Sequence, residues 1–185
     1  SMHLCPRCET TLANFEVNLG YKDITDLAVT VKFELADEPG TFLLAWTTTP
    51  WTLPGNAALA VNEKITYCKI KLENNFYILA KDKMVEVLKD KEFEIIEEFF
   101  GKELVGKKYK PPFDYYQGST LRDAQGRTLN LEAGWKVHAA DFVTTEDGTG
   151  IVHVASAFGE DDMKLGEEKE LPFIQHVARD GRFKP

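Results

Sequence analysis

Two stretches hold the residue types that could do chemistry. The first is Thr47-Thr48-Thr49-Pro50-Trp51-Thr52-Leu53-Pro54, set within residues 44–62. The residue before a proline is pushed towards extended geometry, so Thr49 and Leu53 are expected to be extended. Pro50 and Pro54 cannot donate to a sheet ladder, so the chain must leave the sheet or follow its edge here. A stiff, kinked arch results, carrying hydroxyls and one large aromatic wall. It either grips a ligand or forms a hydroxyl-rich turn that satisfies its own backbone.

The second stretch spans residues 150–162. A strand delivers His153, a loop of small residues follows, and a helix N-terminus presents Asp161 and Asp162. A carboxylate so placed can hold a ligand ammonium through charge-assisted hydrogen bonds. It can equally be a helix-terminal acid attracted to the positive end of the helix dipole. His153 likewise reads as a pocket residue or as a satisfied strand histidine. The nucleotide-hydrolase and dinucleotide classes lack support, because no glycine-rich phosphate loop follows a strand. There is no GxSxG elbow and no HExxH, and Ser156 three residues from His153 is not a triad pattern.

Cys5-Pro6-Arg7-Cys8 is half of a tetrahedral zinc site, which needs two further ligands. His3 is too close to supply a second chelating arm, and Cys68 falls in an expected strand. The pair is therefore either two free thiols in a strap or half a site completed from outside this chain. No metal is assigned within it.

The elements that must position these groups are mostly strands. Residues 28–35 alternate, with Val29, Val31, Phe33 and Leu35 on one side, the pattern of a half-buried strand. Residues 41–46 return as a more fully buried strand. Ala57, Leu59 and Val61 make another short strand face. Residues 68–72 and 76–80 form a hairpin about Glu73-Asn74-Asn75. Asp82 is expected to cap a helix over 83–91 with Met84, Val85 and Leu88 inward. Further strands are expected at 93–100, 135–143, 149–154 and 173–178, with a helix from 159 to about 170. Residues 101–118 read as a polar excursion, and 122–131 as loop. The fold class is β-rich α+β, a β-barrel-like core with a few short peripheral helices. Residues 1–20 read as an N-terminal strap and 21–185 as one globular unit.

The 185 residues suffice for one domain with a real core. A hydrophobic content of 43% and a charged content of 28% are those of a soluble globular protein. No apolar run approaches a membrane span, and no signal peptide opens the chain. Three cysteines make no disulfide framework, which points to a reducing, cytoplasmic setting. Ser1-Met2 reads as a remnant ahead of a fragment. A net charge of −8 argues against wrapping a long nucleic-acid backbone. It leaves room for gripping one nucleotide end, and Lys102, Lys107, Lys108 and Lys110 either touch phosphates or form a solvated loop.

Thr47 to Pro54, with Asn56 and Val61-Asn62, resembles the threonine-rich signature of the editing (CP1 insertion) domain of isoleucyl-tRNA synthetases. Gly148-Thr149-Gly150-Ile151-Val152-His153, with Gly159-Glu160-Asp161-Asp162, resembles that domain's second signature, in the same order and spacing. Cys5 to Thr10 resembles the segment where the catalytic domain hands over to the insertion. The valyl and leucyl relatives carry Thr-Thr-Arg-Pro where this chain has Thr-Thr-Thr-Pro-Trp. Ser156 departs from the family, which has proline there.

The resemblance implies hydrolytic proofreading. A synthetic site rejects valine poorly because one methylene is worth only about 1–3 kcal/mol, a discrimination for which isoleucyl-tRNA synthetase is itself the standard example. By the family's pattern Asp162 binds the α-ammonium of misattached valine, and His153 narrows the pocket against isoleucine. Thr47, Thr48, Thr49, Trp51, Thr52 and Asn56 hold the ester and the 3′ terminal adenosine, and water attacks. The implied partners are the acceptor end of tRNA(Ile), misactivated valine and the catalytic domain of the same chain, with no membrane. No cofactor is expected in this fragment; ATP and Mg, with Zn as a candidate, belong to the full-length enzyme. Two other readings stay open: a non-catalytic acceptor-end binding module, and a β-barrel interaction domain whose arch is only a loop.

Overall fold

The computed structural model describes residues 3–23, 25, 27–89, 91–116, 120, 122, 126–128 and 133–184. In chain order the elements are β1 Leu4–Cys5, β2 Thr10–Thr11, α1 Asn14–Gly20, β3 Val29–Glu34, β4 Thr41–Thr47, β5 Ala58–Val61, β6 Thr66–Leu72 and β7 Asn75–Ala80. They continue with α2 Met84–Leu88, β8 Glu94–Phe100, β9 Val137–Ala139, β10 Val152–Val154 and α3 Glu160–Glu168. Strands β1 and β2 pair only with each other, as a small hairpin about the Cys5–Cys8 turn. The other eight strands form one curled, half-barrel sheet, in the order β8-β6-β7-β4-β10-β5-β9 with β3 on β4. This is the β-rich, barrel-like class with short helices read from the sequence. No helix among the described residues is long and apolar enough to cross a membrane.

Strand β4 is the hinge of the sheet. It runs antiparallel to β3 from Thr47↔Val29 to Phe42↔Glu34. Its other edge is shared: Thr41–Leu43 lie parallel to β7, and Trp46 lies parallel to Val152 of β10. Both of its edges are therefore paired, and side chains on its two faces enter two different cores. Leu43 and Ala45 join the central core with Phe33, Leu59, Val61 and Tyr67. Leu44 turns to a second core, under α2, with Ile70, Leu79, Met84 and Leu88. Every residue of β5 is buried for the same reason: Leu59 and Val61 face the central core, while Ala58 and Ala60 pack with Leu165 of α3 and Leu171 just beyond it.

Strand β10 sits between β4 and β5, so the chain cannot pass directly from β4 to β5. Residues 48–57 must cross over the C-terminal end of β10, and this crossing is the arch. The same end of β10 releases the loop that leads to α3. Gly148-Thr149-Gly150 sets that strand in place. Both glycines have φ of +74°, a conformation L side chains rarely adopt. A Cβ at Gly150 would lie 2.5 Å from the Ala80 Cβ. Ala80 N–H donates to Thr149 O at 2.8 Å, and Tyr67 Oη donates to Gly150 O at 2.6 Å.

Several local expectations fail for tertiary reasons. Leu53 is not extended: Pro50–Gly55 is a 3₁₀ helix with Pro54 inside it. Thr52 Oγ1 donates to Thr49 O at 2.8 Å and Asn56 N–H to Leu53 O at 3.0 Å, so side-chain and backbone bonds hold the tight turn against the proline preference. Asp82 makes no cap; it lies in a 3₁₀ turn, Lys81–Lys83, and α2 has only five residues. Met84 and Leu88 are buried, but Val85 is 78% exposed, because so short a helix presents just one i, i+4 pair to the sheet. Residues 173–178 form no strand; Val177 makes a single bridge to Phe183. The segment 135–143 contributes only β9. The reading of 122–131 as loop lies largely outside the described residues. Among the four lysines of the excursion, Lys107 meets Glu38 at 3.3 Å and Lys110 meets Glu34 at 2.6 Å, which holds Glu34 below the usual carboxylate range.

Candidate functional site

The arch and the 150–162 stretch meet at the end of β10. Asn56 is the hub. Its Nδ2 donates to Ala58 O at 3.0 Å, a carbonyl that can only accept, and this fixes the amide's orientation. Tyr109 Oη then donates to Asn56 Oδ1 at 2.6 Å, and Trp135 Nε1 donates to Asn56 O at 3.1 Å. Asn56 Nδ2 also donates to His153 Nδ1 at 2.8 Å. His153 must therefore carry its proton on Nε2, which donates to Thr52 Oγ1 at 3.0 Å. The Thr52 hydroxyl passes its own hydrogen to Thr49 O. One directional chain thus runs Tyr109–Asn56–His153–Thr52–Thr49.

His153 is 7% exposed, and burial pushes its pKa down to about 4. It is neutral near pH 7, and neither ring nitrogen has a free lone pair for a proton. As a general base it has no capacity; what it offers is a fixed ring of fixed volume.

The four threonines divide into two pairs. Thr47 and Thr52 are buried. Thr47 Oγ1 accepts from Thr49 N–H at 3.1 Å, so both buried hydroxyls serve the arch's own backbone. Thr48 and Thr49 are exposed on the outside of the crossing. Trp51 projects from the 3₁₀ helix with 47% of its surface exposed, its ring 5.3 Å from Phe158 in an edge contact.

Asp162 lies in the first turn of α3, and its Oδ2 accepts from Ala155 N–H at 3.0 Å. Burial raises its pKa, and the neighbouring Asp161 adds to this, while the Ala155 bond opposes it. Glu160 and Asp161 turn away to Lys164, at 3.0 and 3.6 Å. Of the three acids that open α3, only Asp162 is folded back onto the loop. Ser156 is buried against Gly166 of α3, and its Oγ has no hydrogen-bond partner among the described residues.

Three contributors had no readable signal. Tyr109 lies in the polar excursion and Trp135 at the start of an expected strand, yet both close on Asn56. His176, in the final segment, donates Nε2–H to Trp51 O at 2.9 Å. No local pattern marks a side-chain hydrogen bond to a residue more than fifty positions away. Cys5 and Cys8 sit on the separate hairpin; the Cys8 thiol lies below its usual range, chiefly through the Thr10 hydroxyl at 3.0 Å. Among the described residues no group of three or more His, Cys, Asp or Glu is placed to hold a metal ion.

No protein-family model matches the chain. Curated proteins do. The chain is 42% identical over 179 residues to an isoleucine–tRNA ligase of Bacillus thuringiensis (strain Al Hakam), a match covering 97% of this chain. It is 43% identical over the same length to the isoleucine–tRNA ligase of Clostridium novyi (strain NT). The chain spans about 16% of the length of each of these relatives. Among solved structures, a leucyl-tRNA synthetase CP1 domain (GlLeuRS-CP1) aligns with a TM-score of 0.61 at 18% identity, over 77% of this chain and 60% of that one. The P. knowlesi cytosolic leucyl-tRNA synthetase editing domain aligns with a TM-score of 0.56 at 15% identity, over 77% of this chain and 62% of that one. Over nearly its whole length the chain thus matches a segment of isoleucine–tRNA ligases in sequence, and it shares its fold with leucyl-tRNA synthetase CP1 domains.

Proposed function

We propose that this chain hydrolyses the ester that joins misattached valine to the terminal adenosine of tRNA(Ile), and that it acts on valyl-adenylate by the same pocket. The observation that carries the reading is the hydrogen-bond chain through His153. It binds the threonine arch to the strand whose following loop holds Asp162, which supports reading the two stretches as walls of one site.

The roles follow from exposure and charge. Asp162 receives the α-ammonium, its Oδ2 held by the loop through Ala155 N–H. An ammonium beside it restores the charged carboxylate that burial disfavours. Thr48 and Thr49 present hydroxyls to the ester and the attacking water, and Trp51 supplies a wall for adenine. Thr47, Thr52 and Asn56 act one step back, holding the arch and the His153 ring. His153 excludes the extra methylene of isoleucine by volume. Two hydrogen bonds prevent the ring from swinging aside, and its neutrality leaves proton transfer to water and the substrate's own ribose hydroxyls. An aminoacyl ester is already reactive, so positioning and oxyanion stabilisation suffice.

The test is deacylation of Val-tRNA(Ile) and Ile-tRNA(Ile) by the full synthetase containing this segment. Asp162→Ala should slow Val-tRNA hydrolysis at least about tenfold, the cost of one lost charge-assisted bond. His153→Ala should admit Ile-tRNA to hydrolysis. Undiminished Val-tRNA turnover in Asp162→Ala would refute the site. Turnover that needs neither residue, with binding intact, would favour the non-catalytic acceptor-end module.

A further inference from the structure

After α3 the chain runs back over the arch. His176 is buried, its Nε2–H bonded to Trp51 O, and its ring fills the space at Gly55, where a Cβ would lie 2.8 Å from Nδ1. Four rings then stand in a row. Trp51 meets Phe158 edge-on at 5.3 Å, Phe158 meets His176 edge-on at 4.9 Å, and His176 stacks on Phe183 at 5.6 Å with 25° between planes. The inner rings are largely covered. The outer two are open, Trp51 at 47% and Phe183 at 62%.

The turn that carries Phe183 is closed by Ala178 N–H to Arg182 O at 2.8 Å and Lys184 N–H to His176 O at 2.8 Å. It displays Arg179, Arg182 and Lys184, all exposed, against one acid, Asp180. Arg182 approaches Asp180 only to 3.8 Å and keeps 87% of its side chain in solvent. In a chain of net charge −8, three cations on one short turn beside an open aromatic face are a local reversal. Open rings flanked by cations suit single-stranded nucleic acid, where bases stack on the rings and phosphates meet the charges.

We infer that the Trp51–Phe158–His176–Phe183 row, with Arg179, Arg182 and Lys184, is a stacking platform for the unpaired nucleotides that precede the terminal adenosine of the tRNA 3′ end. The inference rests on the proposed function, which puts that adenosine at Trp51; Phe183 at the far end of the row then takes a preceding base. The platform fixes the strand's approach so that the ester arrives at the arch in register.

Three probes test it on the 185-residue chain: a fluorescent RNA hairpin with a single-stranded 3′ overhang, the same hairpin blunt-ended, and a non-hydrolysable valyl-adenosine analogue. Phe183→Ala should weaken overhang binding about tenfold while the analogue, which has no preceding nucleotide, binds as before. Arg182→Gln should lower the salt slope of overhang binding by about 0.7. Equal binding of the overhang hairpin by wild type and Phe183→Ala overturns the platform, as does blunt-hairpin binding equal to overhang binding. A protein partner on this face would give either result. If instead the analogue binds Asp162→Ala as well as wild type, the proposed function fails, whatever the hairpins show.

Discussion

Acidification should destabilise this chain through His153. An unfolded-state histidine titrates near 6.5, whereas burial between Asn56 and Thr52 holds His153 at about 4. A depressed histidine pKa means that the native state refuses a proton the unfolded state accepts. Its stability contribution is therefore complete above about pH 6.5 and is lost as pH falls from there towards 4. At pH 5 the unfolded side has gained about 1.5 pH units of binding, and the fold almost none, so the loss from pH 7.5 to 5 is about 2 kcal/mol. With a urea slope of about 2 kcal/mol/M, the unfolding midpoint should fall by about 1 M. His138, also lowered by burial, adds a smaller loss, and Asp162, raised by burial, works in the opposite sense. Both remain in His153→Gln, so the difference between the two pH profiles isolates His153. The variant should be less stable at pH 7.5 yet show a flatter profile down to pH 5. Parallel profiles would mean that His153 titrates normally. The neutral, locked ring on which the volume-gate role depends would then be wrong.

Two further predictions concern the contacts around the site. Gly55→Ala should destabilise by about 1–3 kcal/mol, because its Cβ would meet His176 Nδ1 at 2.8 Å and Ile174 O at 3.0 Å. A thermal melt should show a fall of several degrees, and an unchanged melting temperature would place His176 elsewhere. Ser156→Ala should stabilise by about 1 kcal/mol, since it removes a buried hydroxyl without a partner; a lower urea midpoint would show that the hydroxyl is satisfied.

Much of this protein is fixed locally, and for those parts the sequence suffices. Alternation over Val29–Glu34 and the Glu73-Asn74 turn specify paired strands, because side-chain direction has period two and the turn sets the register. The acids of α3 mark a helix start because the dipole rewards them there. The threonine and Gly-Thr-Gly signatures are readable because each compresses a backbone requirement into a few residues. Tertiary structure alone decided which hydroxyls face out. All four threonines look alike in sequence, yet Thr47 and Thr52 are turned in by the crossing over β10, and Thr48 and Thr49 are left exposed. It also overrode the proline rule at Leu53, where bonds to Thr49 and Asn56 hold a 3₁₀ turn. The same crossing brought Tyr109, Trp135 and His176 to the arch from positions more than fifty residues away. Side-chain alternation and capping act within a few residues. A strand inserted between two others acts across the whole chain, and no window of sequence contains it.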